Sequence, residues 1–96
     1  MEGYTIDVRG IRTRAQLHAK IASVLPLPDY YGNNLDALFD VMTEWSDERY
    51  IIFLVNDEVE EALGKYYAAL RAMCGAACRE NPDLTIVFKE VESHEA

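Results

Sequence analysis

Residues 50–55, Tyr50-Ile51-Ile52-Phe53-Leu54-Val55, form a nearly unbroken apolar run rich in β-branched and aromatic side chains. Such a run fits a central strand of a parallel sheet, buried on both faces, where no position needs to be polar. Downstream, Asn56 or Asp57 can cap a short helix that ends near Gly64. Tyr67, Leu70, Cys74 and Ala77 then recur every three or four residues, the buried stripe of a longer helix. Pro82 marks its exit, and Leu84 to Phe88 reads as another strand.

Upstream of the central run, Asn34 is a candidate N-cap, and Leu35, Leu38, Val41, Met42 and Trp45 make one apolar helical stripe. The stretch from Pro26 to Asn33 is a connector, because Pro26 and Pro28 fix their own φ and end the preceding helix. Gly32 and Asn33 tolerate positive φ in a turn. Thr13 and Gln16 have capping-box spacing, and Leu17, Ile21, Val24 and Leu25 follow at helical period, predicting a helix from Arg14 to Leu25. His18 falls off that stripe and is expected at the surface. Tyr4 to Val8 alternates apolar and polar residues, as an edge strand with one wet face does.

The order strand, helices, strand, helices, strand requires crossovers and predicts an α/β fold with a small, mostly parallel sheet. A chain of 96 residues, half of them apolar, supports one core. The expected organisation is a single domain over residues 1–90, with a polar, acidic tail at 91–96 that frays. The longest apolar run is far too short to span a bilayer, and no charged segment followed by a hydrophobic stretch opens the chain. The expected location is the cytoplasm.

Seventeen acidic against nine basic residues give a formal charge of −8, which opposes direct binding to phosphate backbones. The distribution is more telling. Between Lys20 and Arg49 there is no Lys or Arg, while Asp29, Asp36, Asp40, Glu44, Asp47 and Glu48 all lie within that gap. A solvated acidic surface is the plain explanation, and a cationic partner the sharper one. Cys74 and Cys78 are four apart on a helix, where disulfide geometry is poor, and His18 and His94 lie in unrelated segments. No metal site, cofactor or catalytic residue is therefore expected, and both thiols read as small buried hydrophobes.

Asp36 and Asp40 are at i and i+4, so their carboxylates share one helix face. Asp36 gains from the positive end of the helix dipole. Asp40 lies past mid-helix, where its like-charged neighbour costs about 0.2–0.5 kcal/mol. Phe39 and Tyr30 border these acids as the aromatic core of an interface would, although both also suit the hydrophobic core. Tyr31 reads as a core residue.

The stretch Leu25-Pro26-Leu27-Pro28-Asp29-Tyr30-Tyr31-Gly32-Asn33-Asn34-Leu35-Asp36-Ala37-Leu38-Phe39-Asp40, followed by Trp45, resembles the signature of the barstar family, intracellular inhibitors of a guanyl-preferring secreted ribonuclease. The resemblance implies three parallel strands with four helices and a binding surface made by the second helix and the loops beside it. By that resemblance Asp40 enters the nuclease's phosphate site, Asp36 engages another basic residue, and Tyr30 packs on a catalytic histidine. Asn34, Phe39, Glu44 and Trp45 fall at or beside contact positions. The family carries tryptophan where this chain has Phe39, glycine where it has Glu44, and a contacting glutamate where it has Ala76. Glu80, one turn further on, is the candidate replacement. The implied partner is a secreted or toxin ribonuclease bound one-to-one, with no nucleic acid or membrane contacted directly.

An enzyme using Asp36 and Asp40 as an acid/base pair is disfavoured, since one convex helix face offers no pocket to separate two pKa values. The chain also has no Gly-rich phosphate loop or nucleophile elbow. The alternative that remains is a barstar-like interaction domain that binds another basic partner without inhibiting a nuclease.

Overall fold

The computed structural model describes residues 2–91. Its elements are β1 (Glu2–Asp7), α1 (Arg14–Val24), α2 (Leu35–Glu44), β2 (Arg49–Val55), α3 (Asp57–Leu63), α4 (Lys65–Glu80) and β3 (Leu84–Glu90). The three strands form one parallel sheet in the order β1-β2-β3, with Ile6, Phe53 and Phe88 in register across it. The α/β expectation holds, as do the strand and helix counts. Val91 is tied back by its N–H to the Val55 carbonyl at 2.8 Å. The rest of the tail expected to fray, 92–96, lies outside the described residues.

The caps explain where the helices start. Thr13 accepts from the Gln16 N–H at 3.1 Å while the Gln16 side chain accepts from the Thr13 N–H at 3.3 Å, a reciprocal capping box. Asn34 and Asn56 cap α2 and α3 by accepting from Ala37 and Val59. Gly64, at φ 56°, separates α3 from α4 in a conformation that a Cβ would strain.

The central strand is not buried on both sides. Ile51, Phe53 and Val55 are fully buried beneath the helices, whereas Ile52 and Leu54 on the other face are half-buried beside exposed Thr5, Val87 and Lys89. Topology gives the reason. Both crossovers step in the same direction, from β1 to β2 to β3, and two crossovers of the usual right hand then lay all four helices on one face. The strand order also never reverses, so the sheet has no crevice of the kind that holds ligands in doubly wound folds. On the covered face the Phe53 and Phe88 rings stack at 4.9 Å, and Tyr67 meets Phe88 edge-on at 6.0 Å.

His18 is not a surface residue. It is 1% exposed, with Nδ1 2.5 Å from the Tyr31 hydroxyl and Nε2 2.7 Å from that of Tyr66. Its spacing of three and seven from Ile21 and Leu25 places it on the buried face of α1, where two tyrosines satisfy both ring nitrogens. In the neutral imidazole one nitrogen accepts and the other donates, so the ring bridges both hydroxyls. Cys74 is buried and free, and desolvation pushes its thiol up to about 12, which fits a packing role.

Burial lowers the His18 pKa below its ordinary value of 6.5. The native state then binds fewer protons than the unfolded chain in this range. The stabilisation is fully present above about pH 6.5 and is lost as pH falls through that value toward the depressed one. Urea titrations should show stability declining between pH 7 and pH 5. His18→Ala should cost about 2–4 kcal/mol at pH 7, through a cavity and two unpaired hydroxyls. The same substitution should flatten the acid slope, and an unchanged slope would contradict this assignment.

Candidate functional site

The acidic helix α2 is anchored by Leu38 and Met42, which are fully buried, while Leu35, Phe39 and Val41 are half-buried around them. Phe39 packs partly against the core, so it serves both the core and the helix surface. Asp36, Asp40 and Glu44 are exposed. Their side chains form no ion pair among the described residues. The nearest cation downstream, Arg49, is engaged elsewhere. Its Nε donates to Asp47 at 3.0 Å, and its guanidinium lies 4.3 Å from the centre of the Trp45 ring. That hydrogen bond lowers the Asp47 pKa. Among the described residues the acids of α2 are thus without an ion-pair partner, and the cation that shares a hollow with one of them, Asp36, is Arg14.

The connector before α2 is ordered by a turn in which the Tyr31 N–H donates to the Pro28 carbonyl at 3.0 Å. Asn33 takes the left-handed conformation at φ 56°, and Asn34 then reaches both sides. Its Oδ1 accepts from the Ala37 N–H at 2.7 Å and its Nδ2 donates to the Gly32 carbonyl at 3.2 Å. A Cβ on Gly32 would come within 3.2 Å of that amide, a close approach that favours glycine. The adjacent tyrosines part company. Tyr31 turns inward to His18, and burial raises its hydroxyl pKa so that it stays protonated. Tyr30 is 87% exposed, the largest apolar exposure among the described residues.

Tyr30, Glu44 and Trp45 meet around a groove of about 480 Å³, floored by Pro26, Leu27, Pro28 and Val41. Asn34 and Asp36 border a second hollow of about 700 Å³ on the α1 side, with Arg14 and Tyr66. The Arg14 guanidinium stacks 4.5 Å from the Tyr66 ring centre. Asp40 lies on the exposed face of α2 between the residues that line these two hollows. Glu80 is exposed at the end of α4, and Ala76 is half-buried one turn before it. Every residue singled out from the sequence thus lies on α2, on the connector before it, or at the end of α4. Sequence reasoning missed Tyr66 and Arg14, for which neither period nor motif gave a signal.

The family model described as "Barstar (barnase inhibitor)" matches residues 1–93. The chain belongs to the barstar family. It is also similar to the Bacillus subtilis (strain 168) protein named "Putative ribonuclease inhibitor YrdF", at 40% identity over 67 residues, covering 69% of this chain and 74% of that protein. Among the described residues no helix is long and apolar enough to cross a membrane.

The two kinds of polar residue on α2 should separate cleanly in denaturant melts. Asn34→Ala removes a helix cap and should cost about 1 kcal/mol. Asp40→Ala removes an exposed carboxylate from beside Asp36 and should leave stability unchanged or raise it by up to about 0.5 kcal/mol.

Proposed function

We propose that this chain is an intracellular protein inhibitor of a guanyl-preferring microbial ribonuclease, acting as one domain over residues 1–90. It blocks the active site with the exposed acids of α2 and the connector before it. The observation that carries this proposal is the pair Asp36 and Asp40, exposed on α2 without an ion-pair partner among the described residues and flanked by Tyr30, Phe39 and Trp45. Membership of the barstar family supports the partner class.

The chemistry follows from what a ribonuclease must do. Its active site holds a phosphate with cationic side chains and is a positive concavity when empty. Asp40 presents a carboxylate of matching charge and size, making charge-assisted hydrogen bonds in the phosphate's place without a bond to cleave. Asp36 pairs with a second cation at the rim. Tyr30 stacks on the catalytic histidine, while Asn34, Phe39, Glu44 and Trp45 complete the contact. Glu80 supplies the acid that Ala76 does not. The inhibitor itself hydrolyses nothing and works in the cytoplasm. The second reading, an interaction domain for some other basic protein, draws on Ala76, where the family's contacting acid is missing.

RNA-cleavage assays with purified guanyl-preferring microbial ribonucleases test the proposal. Inhibition should saturate at one inhibitor per enzyme, and failure against every such enzyme would contradict it. In binding calorimetry Asp40→Ala should lose upwards of about 3 kcal/mol, because it leaves buried cations unpaired. Asp36→Ala and Tyr30→Ala should lose less, and Glu58→Ala on α3 little.

The unpartnered acidic field also sets the kinetics. Association should slow steeply from low to physiological salt while dissociation changes little, since steering acts on separated charges. Stopped-flow association rates that stay flat across this range would exclude electrostatic steering.

A further inference from the structure

The carboxyl end of α2 lacks the usual means of stopping a helix. Trp45 at the C-cap is extended, with φ −65° and ψ 135°, rather than left-handed, and the last turn contains no basic residue. The Thr43 hydroxyl donates to the Phe39 and Asp40 carbonyls, at 2.8 and 3.3 Å. The carbonyls of Met42 and Trp45, beyond its reach, are met from another helix. Asn81, at the end of α4, directs its Nδ2 to both of them at 3.0 Å each.

The orientation of this amide is fixed by chemistry. Its Oδ1 accepts from the Asp83 N–H at 3.1 Å, so the nitrogen must be the atom facing the two carbonyls. The Asn81 backbone is held at both ends too, donating to Ala77 at 2.8 Å and accepting from Leu84 at 3.0 Å. The side chain is 6% exposed and so has almost no surface to offer a partner. One buried amide therefore joins the end of α4, the start of β3 and the end of α2. Beside it the Trp45 ring rests on the Arg49 guanidinium, and the backbone N–H of Arg49 donates to the Asp83 carbonyl at 3.0 Å.

We propose that Asn81 is a positioning residue for inhibition: it presets the Trp45 ring at the end of α2, so that this part of the binding face is ordered before the partner arrives. This inference rests on α2 being the inhibitory face. Asn81 acts through α2 and not by contact. Its effect must therefore be coupled to Trp45, whose carbonyl it holds, and not to Tyr30, which lies on the connector whose Tyr31 is tied to His18.

Asn81→Asp keeps the shape and the acceptor for Asp83 but offers no donor to the two carbonyls, and Asn81→Ala removes both. Under conditions where denaturant melts show each variant fully folded, two measurements test the proposal. Trp45 is the sole tryptophan, so the fluorescence anisotropy decay of the free protein reports its mobility directly. In both variants the ring should gain fast motion. With a ribonuclease that the parent inhibits, dissociation should accelerate by about tenfold, as loss of buried polar contacts acts mainly on dissociation. That acceleration should shrink toward unity in a Trp45→Ala background and persist in Tyr30→Ala. An unchanged anisotropy decay, unchanged dissociation, or equal acceleration in both backgrounds would overturn the inference while leaving the inhibitory role standing. A parent that binds no ribonuclease would overturn the functional proposal and the role of Asn81 in binding together.

Discussion

A helix that carries its charge on the outside has to be held from the inside by very little. Only Leu38 and Met42 of α2 are fully buried, and the acids Asp36, Asp40 and Glu44 face solvent with no ion pair among the described residues. Left alone, a ten-residue helix with a like-charged pair on one face would be marginal in water. The rest of the molecule supplies what the helix lacks. Asn34 caps its amino end, Asn81 donates to the Met42 and Trp45 carbonyls at its carboxyl end, and the sheet beneath α4 provides the rigid support.

The connector preceding α2 is governed by a second buried polar device. His18 joins α1 to Tyr31 on the connector and to Tyr66 on α4, and both ring nitrogens are used. Tyr31 is pinned to His18, while its neighbour Tyr30 is exposed at the edge of the Trp45 groove. The two halves of the candidate face are thus fixed by different polar residues, one at each end of α2. Satisfied buried polar groups specify a single arrangement more sharply than apolar contacts do, because misplacing them leaves donors unpaired.

Much of this was legible in the sequence. The apolar run at residues 50–55 announced the central strand, Thr13 with Gln16 announced the start of α1, and Asn34 announced α2. The acidic pair was visible because i and i+4 share a face whatever the tertiary fold. What failed were assignments that depended on a partner distant in sequence. His18, read as falling off the apolar stripe of α1, is expected at the surface, yet tyrosines 13 and 48 positions away make its burial favourable. Ile52 and Leu54 were placed in the core because composition cannot tell a covered sheet face from an open one. That distinction lies in the strand order. Asn81 gave no local signal, since its role exists only through carbonyls 36 and 39 positions back along the chain.

The central claim is that a carboxylate on α2 occupies the place of a substrate phosphate in a ribonuclease. Competition tests it most directly. Binding of the inhibitor to a guanyl-preferring ribonuclease should be measured by calorimetry with increasing guanosine 3′-monophosphate, a ligand of the same phosphate site. The account predicts that the apparent dissociation constant rises in proportion to nucleotide concentration above saturation, with no ternary complex. An affinity independent of the nucleotide, with both ligands bound at once, would contradict it.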